Sequence, residues 1–360
     1  MSGRPPSQAT QATTVGGFTE QELIGRIQQW LPPPPDWLLV GIGDDAAVVE
    51  PERNRVEVLT VDSLVEGVHF DRAFVPPDAI GHRALAVNLS DLAAMGAAPR
   101  HALLSMVLPA TLPLADFDGV VSGLAALASA HRLHVVGGNL TRSGSASGPL
   151  IVDVSVTGTV KPRQVLKRRG ARPGDRLCVS GTIGSAAAGL RLLRDNARLL
   201  DTMNADTGVE RLVTAYLRPV PRVRLGLMLA RNRAASACMD LSDGLSDAVY
   251  QIAEASGVGA RIDAAALPID ARARDVLGAG GADPIAGAIT GGDDYELLVS
   301  VRPRTRGRLA AAIRHGGVPL TEIGVCTEDP AVVLQRDGAD TPLPRGGFSH
   351  FRPAGAARAT

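Results

Sequence analysis

Carboxylates are the side chains whose placement exceeds what folding alone needs. Four strand-end or Gly-containing segments carry them: GIGDD (Gly41–Asp45), TVD (Thr60–Asp62), MDLSDG (Met239–Gly244) and GGDDYE (Gly291–Glu296). A fifth carboxylate, Asp91, stands mid-helix in VNLSDLAAMGA, although Asp is a poor helix-interior residue. Taken singly, an Asp in a turn caps a backbone N–H. Five such motifs in one chain exceed that need. If a fold clusters them they repel one another: two charges about 4 Å apart cost about 4 kcal/mol at an effective dielectric of about 20. Bound cations relieve that repulsion. Hard oxygen donors without His or Cys spacing point to Mg²⁺ rather than zinc, and the EF-hand spacing of a calcium loop is absent. Mg²⁺ held by a few carboxylates shares its shell with substrate phosphates.

Two segments have a composition that suits phosphates. Ser180–Gly184 (SGTIG) joins a strand to a helix, and a helix N-terminus favours anions. Gly137–Asn139 (GGN) follows another strand pattern. No GxxxxGK[ST] loop exists. Of the 37 Lys and Arg residues only Lys161 and Lys167 are lysines, which leaves 35 arginines and almost no candidate for Schiff-base chemistry. Metals, backbone and Arg must therefore neutralise any bound phosphate.

The elements that hold these motifs alternate. A helix is predicted over Thr19–Trp30, stopped by LPPPP. Strands follow around Leu38–Val49 and Val56–Val61. The apolar spacing of Ile80, Leu85, Leu89, Leu92 and Met95 then predicts a helix over Pro77–Met95. A strand (Ala102–Leu108), a helix (Leu114–Arg132) and strands at His134–Val136 and Leu150–Val160 complete the first half. A basic segment, KPRQVLKRRGARPGD, reads as a solvated connector or an anion contact. It sets the predicted division: a disordered tail over 1–16, one domain over 17–160 and a second over 161–360. In the second half, strands are predicted at Arg176–Val179, Ala234–Met239, Ala260–Ile262, Tyr295–Val301 and Glu322–Val325, and helices at Ser185–Arg194 and Gly244–Ala255. The fold class is α+β, or mixed α/β, in two halves.

Composition narrows the function. Formal net charge is zero over 360 residues, which argues against nucleic acid and charged membrane surfaces as partners. No run of about 18 apolar residues exists, and the N-terminus lacks a signal-peptide core, so a cytoplasmic location is expected. Cys178, Cys238 and Cys326 lie far apart with no CxxC spacing and read as buried apolar residues in a reduced compartment.

The order of GIGDDAAVV, TVDSLVEGVHF, ALAVNLSDLAAMGA, VVGGNLTRS, LRPVPR, MDLSDGL, GGDDYELL and GGFSHF resembles the thiamine-monophosphate kinases, over about residues 17–351. That family belongs to the superfamily of aminoimidazole ribonucleotide synthetase and selenophosphate synthetase. The resemblance implies that superfamily's two-domain architecture, with an N-terminal sheet that dimerises and a C-terminal α/β/α domain. It implies ATP-dependent phosphorylation of thiamine monophosphate to the diphosphate, with several Mg²⁺ ions, by a homodimer. Carried over by motif, Asp44, Asp45, Thr60, Asp62, Asp91, Asp240 and Asp243 hold metals, with Asp62, Asp91 and Asp243 nearest the chemistry. Gly138, Asn139, Arg168 and Ser242 meet ATP. His69, Asp293 and Phe348 lie on the thiamine phosphate side. Two positions depart from the common pattern. Asn139 stands where many members carry Asp, and Asp293 where most carry Glu.

A kinase of this kind needs no classical base. A phosphomonoester has a second pKa of about 6 and is mostly dianionic at neutral pH. The obstacle is repulsion between two anions, which bridging metals and in-line positioning overcome. Two alternatives stand beside this reading. One is another ATP-dependent enzyme of the superfamily, although the first cysteine is Cys178 and the sequence ends PAGAARAT, so neither an N-terminal nor a C-terminal reactive Cys is expected. The other is a non-catalytic protein that binds nucleotide or thiamine phosphate.

Overall fold

The computed structural model describes residues 13–202 and 207–347. Its first half begins with α1 (Glu20–Trp30), opened by a reciprocal capping box between Thr19 and Glu22. The helix stops where the proline run begins, with Leu31 already extended. Strands β1 (Leu38–Val40) and β2 (Val48–Val49) form a short antiparallel hairpin. The single strand expected over Leu38–Val49 is thus two, because GIGDD forms the loop between them and Gly43 takes φ +120°. Strands β3 (Val56–Val65), β4 (Ala98–Leu108), β5 (His134–Arg142) and β6 (Ile151–Val160) form a sheet in the order β3-β6-β4-β5. Only β4 and β5 are parallel in it. Helices α2 (Pro77–Ala94) and α3 (Leu114–Ala130) belong to this half.

The second half contains β7 (Arg176–Ser180), β8 (Ala237–Asp240), β9 (Gly259–Asp263), β10 (Leu297–Val301), β11 (Leu320–Thr327), β12 (Val332–Arg336) and β13 (Ala339–Pro342). Their order is β13-β12-β9-β11-β7-β10-β8. Helices α4 (Ser185–Asp195), α5 (Leu199–Thr202), α6 (Thr207–Leu217), α7 (Val223–Asn232), α8 (Leu245–Ser256), α9 (Ala271–Leu277), α10 (Pro284–Thr290) and α11 (Arg306–Gly316) complete it. The architecture is mixed α and β around two main sheets.

Helix α2 is the axis of the molecule. It packs against β3 and β6 on one side, α3 on another, and α7 and β8 of the second half on a third. Ile80, Leu85, Leu89 and Leu92 are fully buried, and so are the polar Arg83, Asn88 and Ser90. A helix surrounded on every side needs no single apolar stripe. Its contact with α3 is backbone to backbone. A methyl group on Gly81 would sit 1.8 Å from the Val120 carbonyl oxygen, and one on Gly123 would sit 1.9 Å from that of Asp78.

One apolar core runs from α1 through the first sheet and on into Leu225, Leu229, Cys238 and Val299. The two halves therefore share a core across α2, while a second core lies within the seven-stranded sheet and α8. Residues 13–16, assigned to the tail by composition, are bonded to the rest of the fold. Val15 is buried, and the backbone N–H groups of Val15 and Gly16 donate to Leu112 and Ala110. The three cysteines are free and buried. No helix of the described residues is long and apolar enough to cross a membrane.

Candidate active site

Asp91 falls in the last turn of α2 rather than at its middle. The C-terminal end of a helix carries a partial negative charge, so a carboxylate there is doubly disfavoured. Its neighbours sharpen the problem. Thr60, on β3, donates its hydroxyl to Asp91 Oδ2 at 2.5 Å. Asp62 lies two residues along the same strand, on the same face. Ser90 donates to Asp240 Oδ2, 2.8 Å away, at the buried end of β8. Helix α2 thus draws a carboxylate from the first sheet and one from the second toward Asp91.

Electrostatics confirm that these groups feel one another. Burial raises Asp62 to about 6, and the charges of Asp91 and Asp243 push the same way. Burial, followed by the charge of Asp91, raises Asp240 to about 7. Burial also raises Asp91, against the pull of Thr60 and of Arg168. Arg168, from the basic connector, borders the same cleft of about 270 Å³ together with Thr60, Asp91, Met95 and Asp240. Its guanidinium donates to Gln251 at 2.5 Å rather than to any of these carboxylates.

This donor set suits a hard cation. It consists of carboxylates and a hydroxyl, partly desolvated, whose mutual repulsion a dication removes. Among the described residues no three His, Cys, Asp or Glu side chains form a ready-made metal cage. The donors come as pairs across strands and helix, the arrangement for an ion that completes its shell with water and substrate phosphate.

The MDLSDG and GGDDYE segments form one unit beside this cluster. The backbone N–H groups of Asp293 and Tyr295 donate to the Ser242 and Leu241 carbonyls at 2.8 and 3.0 Å, and that of Leu241 donates to the Glu296 carbonyl at 2.8 Å. Asp293 accepts from Arg83 at 3.1 Å and from the Tyr295 hydroxyl at 2.9 Å, both on Oδ1. Glu296 is clamped by Arg222 through both oxygens and accepts from the Ser180 hydroxyl. Asp294 accepts from the N–H groups of Gly184 and Ala186 at 2.7 and 3.3 Å. The N-terminus of α4, expected to receive a phosphate, therefore receives the protein's own carboxylate.

His69 lies on the far side of Arg83. Its Nδ1 accepts from the Val65 N–H at 3.0 Å, and its carbonyl accepts from the Tyr216 hydroxyl at 3.4 Å. Arg83 stacks on the Tyr216 ring, with 4.3 Å from its central carbon to the ring centroid. A chain of contacts thus joins His69 to Asp293. Arg83 lies in no motif of the sequence and is marked only by its burial, which the fold reveals; Arg222, Asp294 and Glu296 lie in LRPVPR and GGDDYE, but their pairing depends on contacts distant in sequence.

Other residues named from sequence stand apart. Asp44 and Asp45 are exposed at the hairpin tip, where Asp44 Oδ1 accepts from the Asp45 N–H. Gly138 and Asn139 lie inside β5, not in a turn after it. Gly138 is there because a methyl group would sit 1.8 Å from the Leu104 carbonyl oxygen of β4. Asn139 is exposed and donates to Thr141 at 2.8 Å. Its strand is three removed from β3, about 14 Å by ordinary strand spacing. Phe348 lies outside the described residues.

Comparison with known proteins gives the family. The family described as AIR synthase related protein, N-terminal domain, matches residues 43–160, and its C-terminal-domain counterpart matches residues 172–337. Thiamine-monophosphate kinase of Escherichia coli O157:H7 is 40% identical over 314 residues, which cover 87% of this chain and 92% of the relative. The crystal structure of thiamine-monophosphate kinase from Stenotrophomonas maltophilia K279a superposes with a TM-score of 0.78 at 39% identity, covering 89% of this chain and 98% of that one. AaThiL complexed with AMPPCP and TMP superposes with a TM-score of 0.71 at 32% identity, covering 86% and 92%. With identity at this level along most of its length, the chain belongs to the thiamine-monophosphate kinase family.

Proposed function

We propose that the chain transfers the γ-phosphoryl group of ATP to thiamine monophosphate, giving thiamine diphosphate and ADP by direct in-line transfer. The observation that carries this reading is the group Asp62, Asp91 and Asp240: partly or fully buried carboxylates raised by burial, with the charge of Asp91 adding to Asp62 and Asp240, beside Arg168 and, among the described residues, with no basic side chain bonded to them. Such a group suits bound cations and the phosphates that share them.

Mg²⁺ is the proposed metal, held by Asp62, Asp91, Asp240 and Asp243 with Thr60, and by Asp44 and Asp45 from the hairpin. When bound it supplies charge neutralisation for two phosphate groups that otherwise repel. The residues of the chain do the rest. Asp62, Asp91 and Asp243 are assigned to the reacting phosphates, and Arg168 and Ser242 to the nucleotide. Gly138 and Asn139 are assigned to the nucleotide by motif alone. Asp293, His69 and Phe348 are assigned to the acceptor. No side chain has to remove a proton, since the acceptor phosphate is already mostly dianionic. Incubation with Mg-ATP and thiamine monophosphate should yield thiamine diphosphate and ADP, resolved by chromatography. Absence of product across a range of Mg²⁺ concentrations refutes the reading.

The working form in this reading is a homodimer, with residues 17–160 as the dimerising, nucleotide-binding unit and 161–360 completing the site. The outward face of the first sheet supports it. Leu59, Val61 and Leu103 are 72%, 63% and 47% exposed, and Val61 and Leu103 align across Ser155 in register. A contiguous apolar sheet face beside an open strand edge is an association surface. Light scattering should give twice the chain mass, and Leu103→Glu should halve it; an unchanged mass overturns the assignment. Free, buried cysteines suit a reducing compartment, and we place the activity in the cytoplasm.

A further inference from the structure

A fully buried arginine needs a reason. Arg83 is 1% exposed inside α2. Its Nη1 donates to the Tyr216 carbonyl, its plane stacks on the Tyr216 ring, and its Nε finds no partner among the described residues. The carboxylate paired with it is Asp293. Arg–carboxylate pairs are frequently bidentate, with both carboxylate oxygens engaged. Here Arg83 Nη2 and the Tyr295 hydroxyl converge on the same oxygen, Oδ1. Among the described residues Oδ2 accepts from no N–H or O–H group, and the Asp293 side chain keeps 30% of its surface exposed. One oxygen is anchored and the other is presented.

The backbone shows the same tension. Asp293 takes φ +68° and Tyr295 takes φ +49°, both in the left-handed region that non-Gly residues rarely enter. Such conformations persist only where the surroundings over-determine them, and they concentrate at functional sites. The surroundings are explicit: the Asp293 N–H is tied to the Ser242 carbonyl, and its side chain is tied to Arg83. Through Tyr216, Arg83 also reaches the His69 carbonyl. One buried guanidinium thus fixes both named acceptor residues relative to α2, the helix that carries Asp91.

We infer that Arg83 is a positioning residue for acceptor binding, holding Asp293 so that Oδ2 faces the acceptor. It touches no substrate itself. This rests on the acceptor assignment made above, so the test separates the two. Binding of thiamine monophosphate and of ATP is measured by calorimetry on wild type, Arg83→Lys, Arg83→Met, Asp293→Asn and the double variant Arg83→Met/Asp293→Asn, beside wild-type turnover. Arg83→Met should weaken thiamine monophosphate binding by roughly ten- to a hundredfold, as misplacement of a binding group does. ATP binding should stay within about twofold, since Arg83 does not line the cleft bordered by Arg168. Arg83→Lys, which keeps the charge, should recover part of the loss. The double variant should bind the acceptor no worse than Asp293→Asn alone, and it leaves no unpaired buried carboxylate should Arg83→Met fail to fold. Additive losses, equal losses for both ligands, or normal acceptor binding by Arg83→Met overturn the inference. If wild type binds thiamine monophosphate but does not turn it over, the kinase reading fails while this one stands.

Discussion

Two acidic groups lie side by side in this molecule and are treated in opposite ways. In the GGDDYE segment each carboxylate has an assigned donor: Asp293 has Arg83, Glu296 has Arg222, and Asp294 has the N-terminus of α4. In the group around Asp91 the donors are hydroxyls from Thr60 and Ser90, and the guanidinium that borders the cleft, that of Arg168, is bonded to Gln251. Both groups are desolvated, and burial raises Asp294 to about 8 as well. Only in the first does each carboxyl group have a guanidinium or a helix N-terminus bonded to it. Burying a carboxylate without a partner costs several kcal/mol, so an unneutralised group marks where the protein relies on something it does not itself carry. The difference separates carboxylates that build the site from carboxylates that work in it.

Removing a charge from each group should therefore have opposite consequences. Asp91→Asn, and likewise Asp62→Asn, should lower turnover by about a thousandfold, on the order of 4 kcal/mol of barrier. Their unfolding midpoints should hold or rise, because a repelling charge is gone and, at Asp91, the Thr60 hydroxyl keeps an acceptor. Steady-state kinetics beside thermal unfolding checks both halves. Near-normal turnover in the two variants breaks the assignment of this group to catalysis.

Arg222→Met is the complementary cut. It leaves Glu296, which is 3% exposed, without its guanidinium. Stranding one member of a buried pair costs about 3–5 kcal/mol. Urea unfolding should show that loss, and Arg222→Met/Glu296→Gln should recover part of it. Wild-type stability in Arg222→Met would mean that the clamp does not hold the loop.

How far these roles could be read in advance follows the same division. Asp91 was legible because a carboxylate between Leu89 and Leu92 contradicts its surroundings. Asp240 was legible because it ends an apolar strand, and Asp62 because the expected strand stops at Val61, although β3 in fact runs on to Val65. Arg83 was not: in GHRALAV it looks like any arginine on an exposed helix face, and only the packing of α2 on every side buries it. The SGTIG turn misled for a related reason. Its helix N-terminus does take an acceptor, but the acceptor is the carboxyl group of Asp294, 110 residues away in sequence. Periodicity located α1, α2 and α8 to within a residue or so, yet missed that GGN sits inside β5. Local pattern reports what a segment prefers; long-range partners decide what its polar groups do.

The smallest expected effect probes the unneutralised group directly. Asp62 is held up at about 6 and Asp240 at about 7, against an ordinary carboxylate value of 3.8. The folded protein therefore holds protons that the unfolded chain has already released. Stability from these groups is complete below about pH 4 and is lost as the pH climbs through about 6 and 7. Metal-free protein should thus melt lower at about pH 8 than at about pH 5.5. Mg²⁺ competes with those protons and binds the folded state, so it should raise the midpoint by a few degrees, about 1–2 kcal/mol, at the higher pH and by less at the lower. Differential scanning fluorimetry with and without Mg²⁺ at the two pH values reads this. Asp62→Asn/Asp240→Asn should abolish the Mg²⁺ increment, whereas Arg222→Met should keep it on a lower baseline. An increment equal at both pH values, or one that survives loss of both aspartates, would mean that this group is not the cation site and that the contrast between the two acidic groups has another cause.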